Sequence, residues 1–167
     1  MNAQDVLKYG HRTVLRTVDG LPEANWNTPG VCGVWSVKDI IGHLAAYEHV
    51  LVEVLTGFLE GGETPYLKQY MAGPEFNDAQ AANRKDHTVA QVWAEYNDIH
   101  ARVKALAPRI APEVWRQVGT LPWYGLEYAL DDYVVYAFYG HKREHSAQIA
   151  VFRDTLTVSP PSQTETK

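Results

Sequence analysis

Apolar residues recur at helical spacing along most of this chain, and no stretch alternates with the period of a strand. The first periodic segment runs from about Ala3 to Val18, carried by Val6, Leu7, Val14, Leu15 and Val18, and "DGLP" stops it. A loop rich in Gly, Pro and Asn follows, "LPEANWNTPGVCGVW". The second helix has a clear start: Ser36 is a good N-cap and Asp39 stands at the capping-box position. Its apolar positions, from Val37 and Ile40 through Leu55 and Phe58, form a wider stripe than a helix with one buried face needs. That width fits a helix buried between neighbours, or one that also meets a second subunit. "EGGETP" ends it.

The middle, "YLKQYMAGPEFNDAQAANRKDH", reads as irregular, with a helical turn or two after Asn77. Thr88 then caps a third helix, with Gln91 at the capping-box position and an apolar face of Val89, Val92, Trp93, Tyr96, Ile99, Val103 and Leu106. The fourth helix is expected from about Leu126 to Leu156. Four long helices without a strand signal predict an all-α four-helix bundle in one domain over residues 1–157, with a flexible polar tail over 158–167.

Composition narrows the function. The chain has 167 residues, with 15 Lys and Arg against 20 Asp and Glu, a net charge of −5. No basic cluster offers a phosphate footprint, which argues against nucleic acid as a partner. No apolar run reaches the length of a membrane span, and the first residues lack the basic-then-apolar pattern of a signal peptide. With one cysteine, Cys32, a reducing cytoplasmic setting is expected. Ten Tyr and five Trp suggest an aromatic-lined pocket for a small molecule.

The chemistry lies in the histidines. "YGHKREHSAQIA" holds His141 and His145 one turn apart, with Glu144 between them. Literally this is the H-x-x-E-H pattern of a protease family whose third ligand is a glutamate well downstream. The one acid after His145 in a different segment is Glu165, in the polar tail, so that ligand set is not expected here. On a helical wheel with His141 at the origin, His145 lies about 40° away and Gln148 about 20° to the other side. Leu130, Val134, Ala137, Phe138 and Phe152 share that arc, while Lys142 and Arg143 are expected to face water. On helix two, His43 groups with Ile40, Tyr47, Val50 and Val54, whereas His49 falls on the polar side. His11, His87 and His100 have no partner at ligand spacing.

Three inward histidines on two helices can hold one divalent ion, Zn²⁺, Ni²⁺ or similar, and leave a position open. Tyr47, Phe138, Trp35 and Trp123 are candidates to line a pocket beside it, and Cys32 can approach its mouth. A buried hydrogen-bonded histidine cluster without metal is the competing reading.

Two stretches, "VWSVKDIIGHLAAYEHVL" and "YGHKREHSAQI", together with "FNDAQAANRKDHTVAQVWAEY", resemble the DinB/YfiT-like metal-dependent proteins, a four-helix-bundle superfamily. The resemblance covers most of the chain in order. It implies a metal held by His43, His141 and His145, with Gln148 at the place of a glutamine that orients a ligand or bound water. It also implies a homodimer. For activity it implies a metal-dependent hydrolase, or a thiol S-transferase or isomerase acting with a low-molecular-weight thiol. The alternative is a non-catalytic small-molecule-binding or stress-response protein with a structural or sensing metal.

Overall fold

The computed structural model describes residues 2–157. The expected tail, 158–167, lies outside them. The helices run α1 (Ala3–Val18), α2 (Val37–Leu59), α3 (Pro65–Ala72), α4 (Glu75–Asn83), α5 (Val89–Leu106), α6 (Leu130–Val134) and α7 (His141–Thr157). A π-helical segment, Val135–Gly140, joins α6 to α7. The four long elements, α1, α2, α5 and the continuous α6–α7 run, form the bundle. Here α2 packs chiefly on α5, and α1 on α7.

Local chemistry sets the start of each central helix. The Ser36 backbone N–H donates to Asp39 Oδ2 at 2.9 Å, and the Asp39 N–H donates to Ser36 Oγ at 3.2 Å. Thr88 and Gln91 repeat this reciprocal cap on α5 at 2.8 and 3.2 Å. Each pair satisfies two backbone donors that a helix start otherwise leaves bare.

Three expectations change. The middle segment is more ordered than its pattern suggests. It holds two short helices, α3 with Pro65 in its first turn and α4 from Glu75, and both pack on α2. Their cover accounts for the broad apolar stripe of α2 within one chain. The last helix begins at Leu130 rather than near Leu126, which is exposed in the preceding turn. There the Ala129 N–H donates to Asp132 Oδ2 at 2.9 Å and sets the start.

Lys142 is the third correction. It is 2% exposed, where the wheel has it facing water. The buried face of the last helical run passes from Phe138 in the π segment to Lys142, His145, Ser146 and Ile149 on α7, so its centre is rotated from the histidines toward Lys142. The π segment supplies the reason. A turn closed by an i→i+5 bond takes an extra residue, so the faces read upstream of it do not carry over in phase.

Two apolar clusters fill the bundle. One contains Leu7, Leu51, Val103 and Phe138; the other contains Val14, Ile40, Tyr96 and Ile149. Between them each long helix contributes one polar group. Glu48 on α2 pairs with Lys142 on α7 and accepts from His100 Nδ1 on α5 at 3.2 Å. The ring of His11 on α1 stacks on His100 with centroids 3.8 Å apart. His11 and His100, which have no ligand partner by spacing, therefore belong to a buried polar layer. Among the described residues no helix is long and apolar enough to cross a membrane.

Candidate metal centre

His43 projects from the second turn of α2, and His141 and His145 from the first turns of α7. The structure brings all three together. Their ligand nitrogens lie within 4.8 Å of one another, and the group contains no fourth His, Cys, Asp or Glu among the described residues. His141 Nε2 is 2.8 Å from His43 Nε2 and 2.9 Å from His145 Nε2. Three imidazoles around a tetrahedral ion at about 2.0–2.1 Å would hold their nitrogens about 3.3 Å apart. An opening of about half an ångström reaches that spacing.

The outer nitrogens decide which tautomers face inward. His145 Nδ1 lies 2.8 Å from Gln148 Oε1, an acceptor, so Nδ1 carries the proton. The Ala137 backbone favours the protonated form of His141, against the burial that lowers its pKa. His145 then turns a bare Nε2 lone pair toward His141 Nε2, only 2.9 Å away. One ring nitrogen carries one proton or one lone pair, never both. At most one well-directed hydrogen bond can therefore serve the three converging nitrogens. A cation satisfies all three, and the donor set suits a borderline-soft divalent ion.

Electrostatics keeps the donors neutral. Burial, followed by the neighbouring His141 and His145, lowers the His43 pKa to about 2. Burial also lowers His141 to about 3, with His145 and Lys142 adding to the effect. His145 is lowered chiefly by burial, against the opposing pull of Gln148 and Glu144. Neutral imidazole is the form that ligates metal.

Around the trio, Trp35 packs its ring 4.8 Å from His43 and 6.4 Å from His145. A tight turn presents it: Cys32 and Trp35 exchange backbone hydrogen bonds of 2.9 and 3.3 Å, and Gly33 takes the positive φ of 58° that the turn needs. Cys32 itself is half-buried against the second apolar cluster. On the other side, the Tyr47 ring lies 4.7 Å from His43 and 4.5 Å from His141. Tyr47 is also a wall of a cavity of about 410 Å³, together with Tyr70, Phe76, Asn77, Trp123 and Tyr124. Thus Tyr47 and Trp123 line this cavity. Phe138 is buried behind it against Tyr133, and Trp35 borders a separate surface groove with Lys38 and Asp39. Tyr70, Phe76 and Asn77 were missed by the sequence reading. The Phe76-Asn77 pair heads the short helix α4, and its aromatic-amide composition was the available signal. His49 sits off the site, bonded to Glu95 at 3.0 Å. Glu144 is exposed and is not part of the histidine group.

Three histidines thus converge from the second and last long helices of a helical bundle, as a group that could hold one metal ion. The DinB superfamily profile matches residues 7–149, and the chain belongs to that family. No curated relative and no solved structure matches it.

Proposed function

We propose that this chain is a divalent-metal enzyme acting on a small molecule, of the hydrolase or thiol S-transferase type. The observation that carries the reading is the convergence of three neutral imidazoles beside an aromatic cavity, with Tyr47 shared between them. His43, His141 and His145 would hold the ion. Such an ion lowers the pKa of a water or thiol and so supplies a nucleophile at neutral pH. Gln148 keeps His145 in the ligating tautomer. Trp35 and Tyr47 pack against the His43 ring and limit its rotation. Tyr47, with its pKa raised by burial to about 12, stays protonated and is a donor at the cavity wall.

The ligand count favours an enzyme over a structural site. Structural zinc sites close their tetrahedron with four protein ligands, and this group has three. The test is a screen of uncharged electrophiles with and without added low-molecular-weight thiols, on metal-loaded and chelated protein. Turnover that requires both the metal and His141 is expected. Turnover unchanged by chelation contradicts the proposal.

A further inference from the structure

We propose that the cavity bounded by Tyr47, Tyr70, Phe76, Asn77, Trp123 and Tyr124 binds an uncharged, flat aromatic ligand. The proposal rests on the histidine centre as the site of reaction and names the class of molecule brought to it.

Five of the lining residues are aromatic, with Met71, Gly73, Pro74 and Asn77 completing the wall. Tyr70 meets Tyr47, Phe76 and Trp123 edge-to-face, with centroids 5.6, 5.7 and 6.2 Å apart. Tyr47 meets Phe76 in the same way at 5.7 Å. Rings held edge-on to one another keep faces and edges available for a further ring at the spacing aromatic pairs prefer. A cavity of about 410 Å³ lies in the range that takes a small ligand.

The lining contains no Lys, Arg, Asp or Glu. The buried cations among the described residues are both engaged elsewhere: Arg84 with Glu95 and Gln80, and Lys142 with Glu48. A carboxylate entering the cavity would lose its hydration and gain no counter-ion. A cationic ligand would find no acid among the lining side chains, only the Glu75 carboxylate beside Gly73, and would lie near a site built for a dication. The polar groups present are neutral. Tyr47 Oη donates to Asn77 Oδ1 at 3.5 Å, long enough to leave both groups capacity for a guest. Burial raises the phenol pKa values of Tyr47, Tyr70 and Tyr124, so these hydroxyls offer O–H donors rather than charge.

The location gives the ligand its use. Tyr47 is the partition between cavity and histidines, with ring contacts of 4.7 and 4.5 Å to His43 and His141. A ring seated against Trp123 and Tyr70 can direct a polar substituent past Tyr47 toward the centre. Thiols that carry carboxylates, such as glutathione, find no matching charge in this cavity.

The test is a series of one ring and three charges: 2-naphthol, 2-naphthoate and 2-naphthyltrimethylammonium, each titrated calorimetrically into the full chain near neutral pH. Chelated protein is used first, so that no probe reads the metal, and the metal content of the same preparation is scored separately. Failure of the histidines to hold metal therefore leaves this result standing, and the reverse. The neutral probe should bind at least about tenfold more tightly than either charged one, a difference of about 1.4 kcal/mol. Trp123→Ala should weaken it about tenfold. Asn77→Asp, which keeps the size and adds a negative charge, should weaken naphthol and strengthen the ammonium probe. Equal or tighter binding of a charged probe, no binding of any probe, or indifference to both substitutions in folded protein overturns the proposal.

Discussion

Replacing Lys142 by Met removes an ammonium from the core and keeps most of the side-chain volume. Glu48, 0% exposed, would then retain only the 3.2 Å contact from His100 in place of its ion pair. Because both partners are sealed from water, solvent screening does not dilute the effect. Breaking a buried pair by removing one member costs about 3–5 kcal/mol, because the remaining charge is left uncompensated. For a domain of this size that corresponds to a fall in Tm of roughly 6–20 °C. The double variant Glu48→Gln with Lys142→Met removes both charges and leaves an amide that can still meet His100. It should recover at least about 2 kcal/mol of the single-variant loss, since buried pairs replaced together are often close to neutral. Urea unfolding of chelated wild type, both single variants and the double variant completes the cycle without interference from metal binding. A single-variant loss below about 1 kcal/mol would refute the argument, as would costs that simply add, because groups that do not interact are additive.

Gln148→Leu removes the acceptor at His145 Nδ1 and frees the ring to adopt the wrong tautomer, so metal affinity should fall about 10–100-fold in competition with a chromophoric chelator, with little change in fold. Stability of the chelated protein should depend on pH with a definite sign. His11 and His141 are held near 3 and His43 near 2, all below the ordinary 6.5, so the unfolded chain binds more protons as pH falls below about 6.5. Stability is therefore complete above about pH 6.5 and declines below it, by up to about 1.4 kcal/mol per pH unit for each extra proton. Glu48 adds loss of the same sign below about pH 4.5, because Lys142 and His100 outweigh the effect of burial and hold it at about 2. Thermal melts from about pH 7.5 to 5 check this, and a flat or rising Tm toward acid would contradict buried neutral histidines.

How much of this was legible in the chain depends on whether the signal was local. The Ser36/Asp39 and Thr88/Gln91 caps are contacts across three residues, and the spacing alone places them. The His141/His145 pair is likewise one helical turn, and the inward side of α2 selects His43 over His49. Lys142 was not legible, for two reasons. Its counter-charge stands on another helix, and the π segment just before His141 breaks the phase between the apolar residues upstream and the buried face downstream. A wheel centred on the histidines therefore put a buried ammonium in water. His11 and His100 were lost in the same way, because their stacking joins α1 to α5 and leaves no trace in spacing. The short helices α3 and α4 have no side-chain cap and take their place from α2, although Pro65 is a start signal that position alone could have supplied. Tyr70 and Asn77 become part of the cavity only through that packing.

The central claim is that His43, His141 and His145 form one metal site. It is tested most directly by elemental analysis of the purified protein beside His43→Ala and the double variant His141→Ala/His145→Ala. About one divalent ion per chain in wild type, sharply reduced in His43→Ala and absent from the double variant, is the predicted result. Wild-type protein that takes up no divalent ion when one is supplied, or full occupancy retained in the double variant, would contradict it.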